Sequence, residues 1–322
     1  MKKVKLGIIG CGIAAKKLHL TALNRLKDKF EITALCNHTE KKAKEFSKLV
    51  GGAPYVLDYK ELLKRPDVEA VDIVLPIYLN YPVTRDALKA GKYVIVEKPL
   101  GANLQQAKKM LELEKRYKQV KVLLENYFYK PTYLKAKKYI DEGKIGKPYS
   151  ILWNKWTYFD KNNIYACTQW RKKNRHIGGF ISDGGIHLIA TLRMLFGELK
   201  LKSSFNNSVN PAIGNMDTFG LHFETQKGID GMITLFFSAN GCYDNQLYVF
   251  GTKGTMCIQG YNTIIIKKSG KPEYKEVVDD NGGHTAAFEN FYNAIRNNQK
   301  IISTFSEGYK DLKTLIDAFS LE

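Results

Sequence analysis

Three residues able to move protons stand where a fold would present them. Lys98 ends the apolar run KYVIVE (92–97) and precedes Pro99, at the carboxyl end of an expected strand. Asp183 and His187 lie four apart in SDGGIHLIATLRMLF, near the start of an apolar helix, so both side chains fall on one face. An imidazole, with its ordinary pKa of about 6.5, can take a proton from a hydroxyl. An ammonium can stabilise the alkoxide that forms. Asp183 can orient the imidazole or hold a neighbouring hydroxyl. Taken singly, each has a plainer explanation: Lys98 as a solvent-facing strand end, Asp183 as a helix cap, His187 as a core histidine. Their occurrence beside a nucleotide-type loop favours the chemical reading.

That loop is VKLGIIGCGIAAKKL, with Gly10, Gly12 and Ala15 as GxGxxA after a strand and before a helix. Gly10 allows the tight turn and Gly12 a close approach of pyrophosphate. Ala15 lets helix and strand pack, and the first helical amides, at Ile13 and Ala14, face the anion. The pattern alone is weak, but the flanking strand, helix and second strand EITALC (31–36) supply its context. After that second strand comes Asn37, where an NAD site usually places a carboxylate. An uncharged Asn37 followed by His38 and Lys41 would tolerate or attract a 2′-phosphate, which leans toward NADP over NAD. A plain turn with a solvated helix start is the alternative.

The elements that must position these residues change rhythm partway along the chain. Up to about residue 125, short Val- and Ile-rich strands alternate with amphipathic helices, the pattern of parallel βαβ units. The expected strands are 3–9, 31–36, 55–56, 70–76, 92–97 and 120–125, with helices at 14–26, 41–49, 59–65, 81–90 and 104–117. A helix at 131–142 follows. Long alternating runs then dominate at 148–159, 217–225, 229–239, 245–251, 254–260 and 262–268, as in antiparallel hairpins, and helices near 284–297 and 306–320 close the chain. The expected class is α/β. Residues 1–125 form a doubly wound parallel sheet of Rossmann type. Residues 126–322 form an α+β domain on a large, mostly antiparallel open sheet.

Composition bounds the alternatives. The 322 residues carry a net charge of +18, but only eight of the 50 basic residues are arginine. Phosphate and base-edge recognition favour arginine forks, so a Lys-rich surface with some attraction for an anionic cofactor is expected, and no nucleic-acid partner. Five dispersed cysteines without CxxC spacing suggest reduced thiols rather than a disulfide framework, and no metal is expected. Lys5 interrupts the first apolar run and Lys16-Lys17 follows, so no secretion leader or membrane span is expected, and the location is cytoplasmic.

The whole chain resembles the Gfo/Idh/MocA oxidoreductases, the group of glucose–fructose oxidoreductase and inositol dehydrogenase. The resemblance rests on GIIGCGIAAKKLHL, AGKYVIVEKPLGANLQQA (90–107), GKIGKP (143–148), GGFISDGGIHL (178–188) and VFGTKGTM (249–256). Glu-Lys-Pro after a strand, paired with the later Asp-x-x-x-His, is its most specific combination. It implies that Lys98 and His187 face the substrate carbon beside a nicotinamide, with Asp183 close by. It also implies that Tyr127, Trp170 and Arg171 line the substrate pocket, and that Glu97 and Asn126 approach the cofactor. The substrate would be a sugar, polyol or related cyclic alcohol, and the assembly a homodimer or homotetramer pairing the open sheets. The sharp turn at Lys98-Pro99 predicts a cis peptide there. Two departures stand out. The segment Pro76-Ile77-Tyr78-Leu79-Asn80 replaces the usual Pro-Asn-x-x-His and so departs at 77 and 80, where the family's cofactor-ring contacts lie; Pro76 and Asn80 are expected to approach the cofactor. Ala190 stands where many members have an aspartate. A redox-inert cofactor or sugar sensor on the same fold is the rival reading, and a DNA binder a more distant one.

Overall fold

The computed structural model describes residues 2–173, 175–210, 212–214 and 216–321. Its contacts divide the chain into two units, residues 1–126 with 283–310 and residues 127–282 with 311–322.

The first unit is built on six parallel strands, β1 (Val4–Ile9), β2 (Phe30–Cys36), β3 (Tyr55–Val56), β4 (Ala70–Ile73), β5 (Tyr93–Glu97) and β6 (Lys121–Leu124), in the order β3-β2-β1-β4-β5-β6. β4 is buried along its whole length and β1 at all but one position, as strands covered on both faces must be. The order reverses between β1 and β4, which opens a crevice at the strand carboxyl ends where doubly wound sheets bind ligands. The connecting helices are α1 (Leu20–Asn24), α2 (Glu40–Leu49), α3 (Tyr59–Lys64), α4 (Asn80–Lys89) and α5 (Leu104–Arg116). The helix expected at 14–26 is not one regular helix. It opens with a π turn, Ala15–His19, in which the Leu20 N–H reaches back to the Ala15 carbonyl before α1 begins.

The second unit contains α6 (Pro131–Asp141), β7 (Pro148–Trp156), α7 (Gln169–Lys172), α8 (Gly179–Phe196), β8 (Leu199–Asn207), β9 (Thr218–Thr225), β10 (Asp230–Phe236), β11 (Asp244–Gly251), β12 (Gly254–Gln259), β13 (Thr263–Lys268) and β14 (Lys271–Val277). Its eight-stranded sheet runs β14-β13-β12-β11-β7-β10-β9-β8, antiparallel except for the β7–β10 pair. The strands expected from the sequence include neither β8 nor β14. Both are outermost strands and largely exposed; β14 is polar, and in β8 the alternation of Leu199 and Leu201 with Lys200 and Lys202 gives way to the polar run Ser203–Ser204 and Asn206–Asn207. One face of the sheet buries Ile151, Trp153, Leu221, Phe223, Ile233, Leu235, Leu247 and Val249. α8 lies on that face through two glycines. A Cβ on Gly184 would stand 2.7 Å from Phe237 and one on Gly185 2.8 Å from Leu235. Interior glycines cost a helix about 1 kcal/mol each relative to alanine, and here they allow the close approach that fixes Asp183 and His187 at either side of them.

Two helices close the chain, α9 (His284–Asn297) and α10 (Phe305–Phe319). A boundary drawn in sequence order puts α9 in the second half, but its contacts place it in the first unit. Arg296 pairs in fork geometry with Glu69 at 2.6 Å and donates to the Lys2 and Lys3 carbonyls. The Glu114 carboxylate accepts from the Phe305 and Ser306 amides at the start of α10. No helix among the described residues is long and apolar enough to cross a membrane.

Candidate active site

The glycine loop follows β1 directly. Gly10 has φ +107° and a Cβ there would lie 2.1 Å from the Val74 carbonyl oxygen, so only glycine fits. Nothing lies within 4 Å of a Cβ on Gly12, which leaves that side of the loop open to a ligand. Ala15 is buried against the sheet, while Ile13 and Ala14 are half-buried at the helix start. Asn37 holds the loop in place. Its Oδ1 accepts from the Cys11 N–H at 3.1 Å and its Nδ2 donates to the Thr39 carbonyl at 3.0 Å, so the side chain ties the loop to the end of β2. His38 and Lys41 beside it are exposed, as a contact to an anionic group requires. Burial pushes the Cys11 thiol up to about 11, so the loop carries no thiolate at neutral pH.

Lys98 stands at the end of β5, two strands from the loop in the sheet order, and the Lys98–Pro99 peptide is cis as the turn predicted. Its neighbours are fixed from two sides. Asn80, fully buried at the start of α4, donates to the Glu97 carbonyl at 2.7 Å and the Pro99 carbonyl at 2.9 Å. This accounts for Asn80 in place of histidine, since both amide hydrogens are spent on the turn. Glu97 turns one carboxylate oxygen to the Lys98 N–H at 3.1 Å and the other to His19 at 2.7 Å. Pro76 precedes the short 3-10 turn Ile77–Leu79 that leads into α4. Asn126 is buried at the end of this unit.

In the second unit the predicted residues form two groups. Asp183 accepts from Arg171 Nε at 2.7 Å, and the Arg171 guanidinium lies 4.2 Å from the Trp170 ring centroid and 5.2 Å from that of Tyr165. Asp183 is a full turn inside α8, whose cap is Gly178, so it is no helix cap. His187 stacks on Tyr127, with ring centroids 4.4 Å apart and planes 12° from parallel. Behind Tyr127 lies a cluster that the sequence motifs do not mark. The buried ammonium of Lys130 stands about 5 Å from the rings of Tyr127, Tyr133 and Tyr261, and 3.4 Å from Asp280. Burial lowers the Lys130 pKa against the opposing pull of Asp280. Lys155, on the helix-covered face of β7, lies 5.8 Å from the Tyr127 and Tyr261 rings. Its position after the inward-facing Ile151 and Trp153 was the available signal, a lysine at an inward place in an alternating strand.

An open glycine loop and a braced lysine at the same sheet edge put the chain among the nicotinamide-dependent oxidoreductases. The family is Gfo/Idh/MocA, and the chain belongs to it. Residues 4–125 match its "Oxidoreductase family, NAD-binding Rossmann fold" model and residues 137–320 its "Oxidoreductase family, C-terminal alpha/beta domain" model. An oxidoreductase from Thermotoga maritima (TM0312) has a similar structure, at TM-score 0.93 and 36% identity over 98% of this chain and 96% of that one. Uncharacterized protein YMR315W of Saccharomyces cerevisiae is 33% identical over 93% of this chain and 90% of its own length. Levoglucosan dehydrogenase, solved with NADH and levoglucosan, shares the fold at TM-score 0.86 and 20% identity, over 98% of this chain and 97% of that one. The cofactor is NAD or NADP.

Proposed function

We propose that this protein interconverts a secondary alcohol and a ketone of a sugar, polyol or related cyclic compound, with NADP preferred to NAD. The single observation that carries the reading is the braced Lys98 at the carboxyl edge of the sheet that bears the open Gly12 loop. Related proteins point to sugars: levoglucosan dehydrogenase, and D-apiose dehydrogenase of Paraburkholderia graminis. The loop, with Gly12 open and the Ile13 and Ala14 amides at the helix start, would hold the cofactor pyrophosphate. When bound, the nicotinamide supplies the hydride acceptor or donor. His187 accepts the hydroxyl proton in the oxidative direction, and Lys98 stabilises the alkoxide and relays the proton. Because Asp183 is paired with Arg171, we assign both to gripping substrate hydroxyls, with Trp170 and Tyr127 as apolar walls. Glu97, Asn80 and Pro76 would shape the turn that meets the nicotinamide, and His38 with Lys41 would favour a 2′-phosphate. Asn126 would approach the same ring.

The second sheet leaves its other face with Phe205 and Met232 about half exposed beside stacked Trp156 and Phe236. A second copy covering it gives a homodimer or homotetramer, and the five unpaired cysteines suit a cytoplasmic location. The test is a panel of sugars and polyols with NADP and NAD, followed by the absorbance of the reduced cofactor. Turnover of at least one cyclic secondary alcohol is expected. Tight cofactor binding with no turnover on the whole panel would favour the sensor instead.

A further inference from the structure

The histidine behind Glu97 sits inside the first unit with both ring nitrogens engaged. His19 has no solvent exposure. Its Nδ1 stands 2.9 and 3.1 Å from the two Asp72 oxygens, and its Nε2 2.7 Å from Glu97. Asp72 comes from the middle of β4, Glu97 from the end of β5, and His19 from the π turn after the glycine loop. π turns are rare and concentrate where a side chain must be re-aimed, and this one delivers His19 to a strand pair that the regular helix begins only after.

We propose that His19 is a positioning residue: it ties Asp72 to Glu97, and through the second Glu97 oxygen it sets the backbone at Lys98. The role of Lys98 rests on the function proposed above; the tie itself does not. A neutral imidazole donates from one nitrogen only, and its other lone pair would then face a carboxylate lone pair. With a carboxylate at each nitrogen, a doubly protonated ring donates to both. Burial raises the Asp72 pKa against the pull of His19, so the competing arrangement is a protonated Asp72 donating to Nδ1 of a neutral ring that donates to Glu97 from Nε2. Burial alone would push the His19 pKa down, but Asp72 and then Glu97 outweigh it and raise it to about 10. Glu97 is lowered in turn, because the bonds and charges of His19, with Lys98 and His284, outweigh its own burial. The other groups packed on the ring are His284, with its ring centroid 5.9 Å away, and the apolar Phe288 at 5.6 Å. An anionic Glu97 keeps its acceptor for the Lys98 N–H throughout the neutral range, so the turn does not change with pH where the enzyme works.

His19, Glu97 and His284 also bring ligand atoms within 4.8 Å of one another, a grouping that could hold a divalent cation. A cation would need the Nε2 lone pair, which the imidazolium lacks, so the tie and a metal site exclude each other.

Nitrogen-15 NMR of histidine-labelled protein without cofactor decides the tie. In the wild type both His19 nitrogens should show protonated shifts from pH 6 to 9, and metal analysis of the purified chain should find no stoichiometric ion. In Asp72→Asn, which keeps the shape and the acceptor, the His19 titration should move down by at least one pH unit. For the positioning role, His19→Gln and Asp72→Asn should shift the carbon-13 titration of the Lys98 side chain. They should also lower kcat about 10- to 100-fold, the scale of an ångström's misplacement, with cofactor Kd changed less than 3-fold. In Asp72→Asn the activity should acquire a pH step matching the new His19 titration. Wild-type His19 titrating near 6.5, or a bound stoichiometric metal, overturns the tie. An unchanged Lys98 titration in both variants overturns the positioning role. Absence of any substrate on the panel would sink the proposed function while leaving both NMR results standing.

Discussion

The two halves of the proposed machinery are held in opposite ways. In the first unit, the Lys98 turn is fixed by hydrogen bonds from fully or largely buried groups: Asn80 on two carbonyls, Glu97 on the Lys98 amide, His19 behind Glu97. In the second, Asp183 and His187 ride on a long buried helix, but their partners come from less regular chain. Arg171 and Trp170 sit on the four-residue α7, and Tyr127 on a 3-10 turn. The contrast lies in how the proposed groups are supported. The Lys98 turn is held at a sheet edge and His187 is carried by a long buried helix, whereas Arg171 and Trp170, proposed to select the rest of the substrate, stand on a short segment that can vary without disturbing the core.

The strongest test of that division removes one proton-handling group from each half. Lys98→Ala and His187→Ala should each lower kcat by roughly 100- to 10,000-fold, the range of general acid–base catalysis. Fluorescence titration should show cofactor affinity little changed in His187→Ala. The double variant should lose less than the product of the two, since either alone already breaks the proton path. Full activity in either single variant would show the chemistry misplaced.

Arg171→Ala should act on the short segment instead. It removes a charged hydrogen bond of about 1.5–3 kcal/mol from Asp183, so substrate KM should rise roughly tenfold or more while kcat falls less. Asn80→Ala tests the braced half from the side away from His19. Two buried carbonyls lose their donor, at about 1–3 kcal/mol, which thermal unfolding should report as a lowered Tm, with kcat reduced alongside. If Arg171→Ala lowered kcat as much as His187→Ala, the division between selection and chemistry would fail.

How far this layout was legible in the sequence follows the same line. The glycine loop, Lys98, Asp183 and His187 are local signals, each readable from a few neighbouring residues. The bracing is not local. Asp72 offered a clue, a carboxylate inside the apolar strand AVDIVLP that burial would penalise without a partner. Nothing within tens of residues could name His19 as that partner, because the π turn that aims it departs from the helical period the sequence suggests. Lys130 failed for a similar reason. Its aromatic neighbours Tyr127 and Tyr133 are close in sequence, but Tyr261 and Asp280 arrive through the pairing of distant strands. Outer strand β14 gave no signal because an exposed edge needs no apolar pattern, while the short alternation at Leu199 and Leu201 that opens β8 went unread.

The buried tie also predicts a pH signature in stability. His19 is raised in the folded state, so its contribution is complete below the unfolded pKa of about 6.5 and is lost as pH climbs toward about 10. Glu97 is lowered, so its part is present above its ordinary range near 4.5 and lost as pH falls. Denaturant unfolding of wild type and His19→Gln should therefore differ most around pH 5 to 6.5, with the difference shrinking toward pH 10 to whatever packing leaves. A constant difference across that range would mean that His19 matters only for packing.

The smallest effect lies at the outer rim of the braced half, where His38 and Lys41 meet solvent. Asn37, uncharged and bonded to Cys11 and Thr39, stands directly after β2, and the next carboxylate is Glu40, three residues on and beside Lys41. The proposed preference for NADP would then rest on exposed cations, and exposed charges act weakly through water and salt. An interaction of about 0.5–1 kcal/mol is typical of such sites, so Lys41→Ala should raise KM for NADP about 2- to 5-fold. KM for NAD and kcat with either cofactor should stay where they were, because Lys41 is remote from the Lys98 turn in the sheet order. The difference should also fade as ionic strength rises, since the Debye length shrinks to about 3 Å at 1 M salt. Lys41→Glu should go further and turn the preference toward NAD, by placing a carboxylate near the ribose hydroxyls. If NADP kinetics were unmoved in Lys41→Ala at low salt, the phosphate would be read elsewhere or not at all, and the preference for NADP would fall.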